Sequence, residues 1–418
     1  MVIELINTGT ELLRGNVLNT HQQWISQQLA QFDRELARQV TIPDEGPAIE
    51  SAVRDSLSRA DLVLTTGGLG PTSDDITRDL IAKLLDRKLS THLPTLKTIE
   101  NFFAARKRPM PASTRVQALV PDGALVLANA HGTAPGLAIS VDPNPFRTKA
   151  SWLVMLPGPP RELRPMFLDA VQPLIEKEFP AEAPFACQIL RTTGIGESMV
   201  EEKIAPALSP LVAEGLEIGY CARIGEVDVR LIARGPQAAR VVADATSIVR
   251  EKLSEAIFAH GDEALEQVVV RLLRESKQTL VTAESCTGGY IAHRITNVPG
   301  ASEIFPAGLV TYSNEAKQLL LGVSPATLKT HGAVSTAVAC EMAEGARTRH
   351  NADFALAVTG IAGPGGGSEA KPVGTVHLAL ASAGGTAHLQ ATNRYDRETF
   401  KFVTSQQALD LLRRQLQR

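Results

Sequence analysis

Short apolar runs that end in glycine-bearing loops recur along this chain. They fall at residues 2–8, 61–66 and 152–156 near the start and at 279–283 and 355–359 near the end, and the loops that follow carry Gly9, Gly67, Gly158, Gly288 and Gly360. Runs this short and this apolar read as strands buried on both faces. Burial of that kind belongs to largely parallel sheets with helices on either side. In such sheets ligands bind beyond the carboxyl ends of the strands, so these loops are the first places to look for chemistry.

Three blocks follow from the order of patterns. Residues 1–175 alternate strand and helix signals, with helices expected at 17–31, at 74–85 and from about 161. This predicts a doubly wound α/β domain. Residues 181–258 read β-α-β-β-α, with a hairpin in which Val227, Val229 and Leu231 alternate with Asp228 and Arg230; the spacing predicts a small α+β module. Residues 262–418 open with Leu265, Val268, Val269, Leu272 and Leu273 on one helical face and continue as a second α/β domain.

Composition narrows the function classes. The net charge is -3 and no long run of Lys or Arg occurs, so nucleic acid is not the expected partner. Four scattered cysteines predict neither a disulfide framework nor a zinc knuckle. The opening MVIELINTGTELL lacks the basic flank and apolar core of a signal peptide. No apolar run approaches the roughly 20 residues needed to span a bilayer. The expectation is a cytoplasmic protein with no membrane partner.

In the third block, Ser285 stands between a strand and a helix, followed by Cys286, Thr287, Gly288 and Gly289. A hydroxyl here is placed to attack a carbonyl, with helix N-terminal N–H groups to hold an oxyanion; equally, Ser285 or Thr287 caps the helix. Further on, Ser313 reads as an N-cap, which makes Tyr312 and Lys317 the pair whose side chains meet at a helix start. The positive end of the helix and partial burial both lower a lysine pKa, and a neutral amine can take a proton from serine. The competing reading is a surface lysine. Thr359, Gly360 and the glycines from Gly363 onward suit an anion nest or a flexible connection. Cys286 competes with Ser285 as nucleophile, though no histidine stands at a motif-like place to activate it.

The ordered segments AESCTGG, VTYSNEAK, HGAVS, TGIAGPGGGS and KPVGTV together resemble the CinA C-terminal domain, the nicotinamide-nucleotide amidase family. The resemblance implies hydrolysis of the carboxamide of nicotinamide mononucleotide to nicotinate mononucleotide and ammonia, with no cofactor. Ser285 would be the nucleophile, activated by Tyr312 and Lys317. Thr359 would lie at the substrate site and Arg397 near the substrate phosphate; the strand-end loops themselves add Thr287, Gly288, Gly289, Gly360 and Gly363 as substrate-binding candidates. Lys401 stands near where the family often has a second arginine.

In the first block, Thr8 and Glu11 follow one strand, GGLGPTSDDIT another and Pro157-Gly158-Pro159-Pro160 a third. Gly67, Gly68 and Gly70 suit a phosphate nest, and Asp74 and Asp75 a hydrated divalent cation; Thr72 and Asp75 also have capping-box spacing. The block resembles the molybdopterin-binding fold of MogA- and MoaB-type proteins, and the full order resembles CinA. That resemblance implies a metal-dependent pyrophosphatase acting on ADP-ribose, with Asp44 and Asp75 as metal carboxylates, Mg, Co or Ni as the cation, and Thr8, Glu11, Asn19, Gly67, Gly68, Gly70 and Asp74 around them. His21 departs from the asparagine usual in the family. The middle block resembles the KH-like module of CinA proteins; Gly194-Ile195-Gly196-Glu197 is a loose GXXG. Without a basic patch it reads as a spacer and assembly module rather than an RNA clamp. Relatives imply a homodimer. An alternative is a nucleotide- or pterin-binding scaffold linked to competence, with an inert first domain.

Overall fold

The computed structural model describes residues 1–181 and 183–417. It divides into two compact units, Met1–Ala183 and Pro184–Arg418.

The first unit is built on β1 (Ile3–Thr8), β2 (Leu36–Ile42), β3 (Leu62–Thr66), β4 (Leu125–Leu127), β5 (Gly136–Val141) and β6 (Ser151–Leu156), in the sheet order β2-β1-β3-β6-β5-β4. The first four strands in that order run parallel, and β5 and β4 extend the sheet antiparallel. Every residue of β1 and β3 is buried, as two-faced packing requires. One face carries Ile25 and Leu29 of α1 (His21–Ala30) and Leu163 of α4 (Pro160–Met166). The other carries Ile49 and Val53 of α2 (Gly46–Leu57) and Ile81 of α3 (Thr77–Leu84). Because β1, β3 and β6 are neighbours, the three expected loops meet at one edge. The helix expected from residue 74 begins at Thr77, because the Asp75 carboxylate closes a turn on the Thr72 N–H at 2.9 Å. Asp74 and Asp75 are therefore loop residues.

In the second unit, β7 (Phe185–Thr193), β8 (Glu217–Arg223), β9 (Glu226–Arg234) and β10 (Ile257–His260) form an antiparallel sheet ordered β8-β9-β7-β10. Its core packs against α5 (Glu197–Ala213) and α6 (Ala238–Leu253). β10 adds a strand to the expected β-α-β-β-α order.

The remaining sheet holds β11 (Leu280–Glu284), β12 (Ala307–Val310), β13 (Phe354–Gly360), β14 (Thr375–Ser382) and β15 (Gly385–Thr392), ordered β12-β11-β13-β14-β15. β11 lies parallel to β12 and β13, and β14 and β15 return antiparallel. One face packs against α7 (Leu265–Ser276), α8 (Tyr290–Thr296) and α11 (Arg397–Leu416). The other packs against α9 (Asn314–Leu321) and α10 (Thr336–His350). Among the described residues no helix is long and apolar enough to cross a membrane.

Candidate functional site

At the carboxyl end of β11 the chain turns through Ser285, and at the end of neighbouring β12 it enters α9. Ser313 caps α9 as expected, its hydroxyl accepting the Ala316 N–H at 3.1 Å. That fixes Lys317 one turn in. Its side chain is 1% exposed. The Nζ stands 3.0 Å from Ser285 Oγ and donates to the Thr311 carbonyl at 2.7 Å. No carboxylate pairs with it among the described residues, and burial lowers its pKa. The surface-lysine alternative is thereby set aside.

Tyr312 bonds to a different partner. It is 60% exposed, and its hydroxyl accepts from Arg397 Nη2 at 2.6 Å. Among the described residues it makes no hydrogen bond to Lys317 or Ser285, although all three line one cavity. Arg397 also donates to the Gly363 carbonyl at 2.8 Å, and the Asp396 carboxylate caps the helix that Arg397 begins.

A cavity of about 290 Å³ opens here. Ser285, Tyr312, Lys317, Thr359, Gly360, Gly363 and Arg397 line it, and no acidic side chain does. The Thr359 hydroxyl is spent on the Ala333 carbonyl at 2.8 Å. A Cβ on Gly360 would come within 2.8 Å of the Thr375 carbonyl, which is why glycine stands there. Cys286 also borders the cavity, but burial pushes its thiol up to about 12. A thiol protonated at neutral pH is a poor nucleophile.

Thr287, Gly288 and Gly289 do not line the cavity, contrary to expectation. The reason is Glu284, a residue the sequence reading passed over. Its buried carboxylate accepts N–H bonds from Gly289 (3.0 Å), Ile291 (3.0 Å) and Ala292 (2.8 Å), so the start of α8 is satisfied from within. The Gly288 N–H closes a turn on the Ser285 carbonyl. The N–H groups of Cys286 and Thr287 donate to no oxygen among the described residues. An acidic residue closing an apolar strand just before a helix was the available signal.

In the first unit the three strand-end loops frame a cavity of about 400 Å³. Thr8, Glu11, Asp44, Gly67, Gly68, Gly70, Asp74 and Asp75 line it; the reading missed Gln117, Thr133 and Glu162. Gly67 has φ +97°, and a Cβ there would stand 2.5 Å from Thr8 Oγ1. Asn19 lies outside: its amide bonds Asn7 at 3.0 Å and its oxygen accepts the His21 N–H at 3.1 Å, so it braces the end of β1. The imidazole of His21 bonds the Gly158 carbonyl at 2.6 Å and steadies that loop, and burial lowers its pKa.

Five carboxylates line this cavity (Glu11, Asp44, Asp74, Asp75, Glu162), with no Lys, Arg or His. Asp44 Oδ2 accepts the Thr10 N–H at 2.8 Å, and Asp75 Oδ2 takes the N–H and hydroxyl of Thr72. The Oδ1 of each remains for a ligand. Among the described residues no three His, Cys, Asp or Glu side chains converge as a metal cage. An all-oxygen set of two carboxylates fits a hard cation that keeps most of its water.

The two units thus define a chain of three modules. Residues 4–177 match the family described as "Probable molybdopterin binding domain", residues 188–259 the "Damage-inducible protein CinA KH domain", and residues 262–416 the "CinA C-terminal domain". A CinA-like protein of Akkermansia muciniphila is 43% identical over 408 residues, 97% of this chain and 95% of its own. A CinA-like protein of Kosmotoga olearia is 42% identical over 419 residues, 100% of this chain and 99% of its own. A solved competence/damage inducible protein from Agrobacterium tumefaciens shares 44% identity over 37% of this chain and 94% of its own, with a TM-score of 0.36. The chain belongs to the CinA family, with a molybdopterin-binding-like first domain, a KH-like middle domain and a CinA C-terminal domain.

Proposed function

We propose that the C-terminal domain is an amidohydrolase that converts nicotinamide mononucleotide to nicotinate mononucleotide and ammonia. One observation carries this reading: the unpaired, buried amine of Lys317 stands 3.0 Å from Ser285 Oγ. A neutral Lys317 takes the Ser285 proton as Oγ bonds to the carboxamide carbon. The tetrahedral oxyanion would take the N–H of Cys286, which borders the cavity, as a donor. As the C–N bond breaks, the Lys317 ammonium returns its proton to the leaving nitrogen and ammonia departs. Water, deprotonated by Lys317, then cleaves the acyl ester and restores Ser285. A cavity with the Arg397 guanidinium and no acid suits a phosphate-bearing substrate. Tyr312 orients Arg397 rather than relaying the proton.

The assay is ammonia and nicotinate mononucleotide formation. Turnover of the mononucleotide, with the phosphate-free riboside poorer in KM, is the expected result. Tight binding without turnover would favour the scaffold alternative.

For the first domain we propose a diphosphate hydrolase acting on ADP-ribose. The five unneutralised carboxylates favour a cation-dependent reading, because a diphosphate would otherwise be repelled. Asp44 and Asp75 would hold the cation, whose charge would screen the diphosphate. The oxygen-only donors favour magnesium over cobalt or nickel. Glu11 and Glu162 are the remaining carboxylates able to orient water. AMP release from ADP-ribose is the test.

A further inference from the structure

The KH-like module and the C-terminal domain share one buried polar chain. Arg191 of β7 donates to Glu226 of β9 at 2.5 Å. The other oxygen of Glu226 accepts from Gln406 Nε2, on α11, at 2.7 Å. The Gln406 carbonyl oxygen accepts from Arg294 Nη2, on α8, at 2.7 Å. Arg294 also holds Ser405 Oγ (2.8 Å) and Glu266 of α7 (2.6 Å). Arg191, Glu226, Arg294, Ser405 and Gln406 are all buried. A second clamp lies further along α11, where buried Arg413 donates to the Glu255 carbonyl at 2.6 Å.

Both helices in this chain serve the candidate site. α8 follows the Ser285 turn and is tied to it by the Glu284 carboxylate. α11 begins at Arg397. Hydrogen bonds in a buried network are directional and tolerate little displacement, so a shift of the middle sheet is passed to the helix that follows the Ser285 turn.

We propose that the KH-like module positions the C-terminal site, with Glu226, Gln406 and Arg294 as positioning residues that act through α8 on Ser285. The catalytic arm of the test rests on the serine–lysine reading; the structural arm does not.

The experiment is a four-protein cycle on the full chain: wild type, Gln406→Glu, Glu226→Gln and the double variant. Gln406→Glu sets a carboxylate against Glu226 and forces the chain apart. The double variant reverses the bond: residue 226 then donates to the carboxylate at 406, which still accepts from Arg294, while Arg191 keeps Asp228 at 3.4 Å. Two quantities are read below the unfolding temperature: kcat and KM for ammonia release, and amide hydrogen exchange across residues 285–297. Gln406→Glu lowers kcat about tenfold with KM within about twofold, as misplacement of a nucleophile does, and speeds exchange. The double variant restores both. Gln406→Met, which removes both bonds without adding charge, changes both in the same direction and serves if Gln406→Glu does not fold. A merely structural role would lower thermal stability and leave kcat of the folded protein unchanged. Wild-type kcat and exchange in Gln406→Glu or Gln406→Met, or a double variant no better than Gln406→Glu, overturns the proposal. If wild type releases no ammonia, the serine–lysine reading fails, and the exchange arm alone decides this one.

Discussion

Lys317 brings its amine to Ser285 without a carboxylate to pair it, and the pH behaviour of the site follows. Burial lowers its pKa from the ordinary 10.5. The base form is the neutral one, so activity is present above the folded-state pKa and lost as pH falls through it. Stability moves the same way. Between the folded pKa and 10.5 the unfolded chain binds the extra proton, so stability rises with pH in that window. The profile of kcat/KM for ammonia release is expected to rise through one ionisation centred below 10.5. A flat profile, or a midpoint at or above 10.5, contradicts the role given to Lys317.

At the scale of elements, α8 is held by Glu284 rather than by substrate. Glu284→Gln puts an amide N–H against backbone N–H donors in a buried place, at a cost of about 1–3 kcal/mol. A lower urea midpoint checks this, and an unchanged midpoint would show that the cap contributes little. Ser285 and Lys317 were legible in the sequence because each follows from local grammar: a strand tip before a helix, and a fixed offset from the Ser313 cap. The hydrogen-bond partner of Tyr312 was not, because Arg397 lies 85 residues away. Thr287, Gly288 and Gly289 read as ligand-binding for the same reason Glu284 was missed: a helix start looks open until the group that fills it is known. Asn19 is a case of a polar residue beside a site that serves the strand next to it. The parallel cores were readable from their apolar runs. β15 and α11 were not, because β15 is largely exposed and α11 lacks a one-sided apolar stripe.

At the scale of the whole molecule, the two cavities differ in charge. One has Lys317 and Arg397 with no acid; the other has five carboxylates with no base. On the proposed reading the first would hold a phosphate through Arg397, while the second would need a cation to hold a diphosphate. EDTA is therefore expected to abolish AMP release from ADP-ribose while leaving ammonia release from nicotinamide mononucleotide unchanged in the same preparation. Loss of both on chelation would mean that the C-terminal reaction also depends on a metal.

The most direct measurement is steady-state ammonia release from nicotinamide mononucleotide by the full chain and by Ser285→Ala. A proton passed from Ser285 to Lys317 predicts a fall of about a thousandfold or more. Equal rates in the two proteins would contradict it.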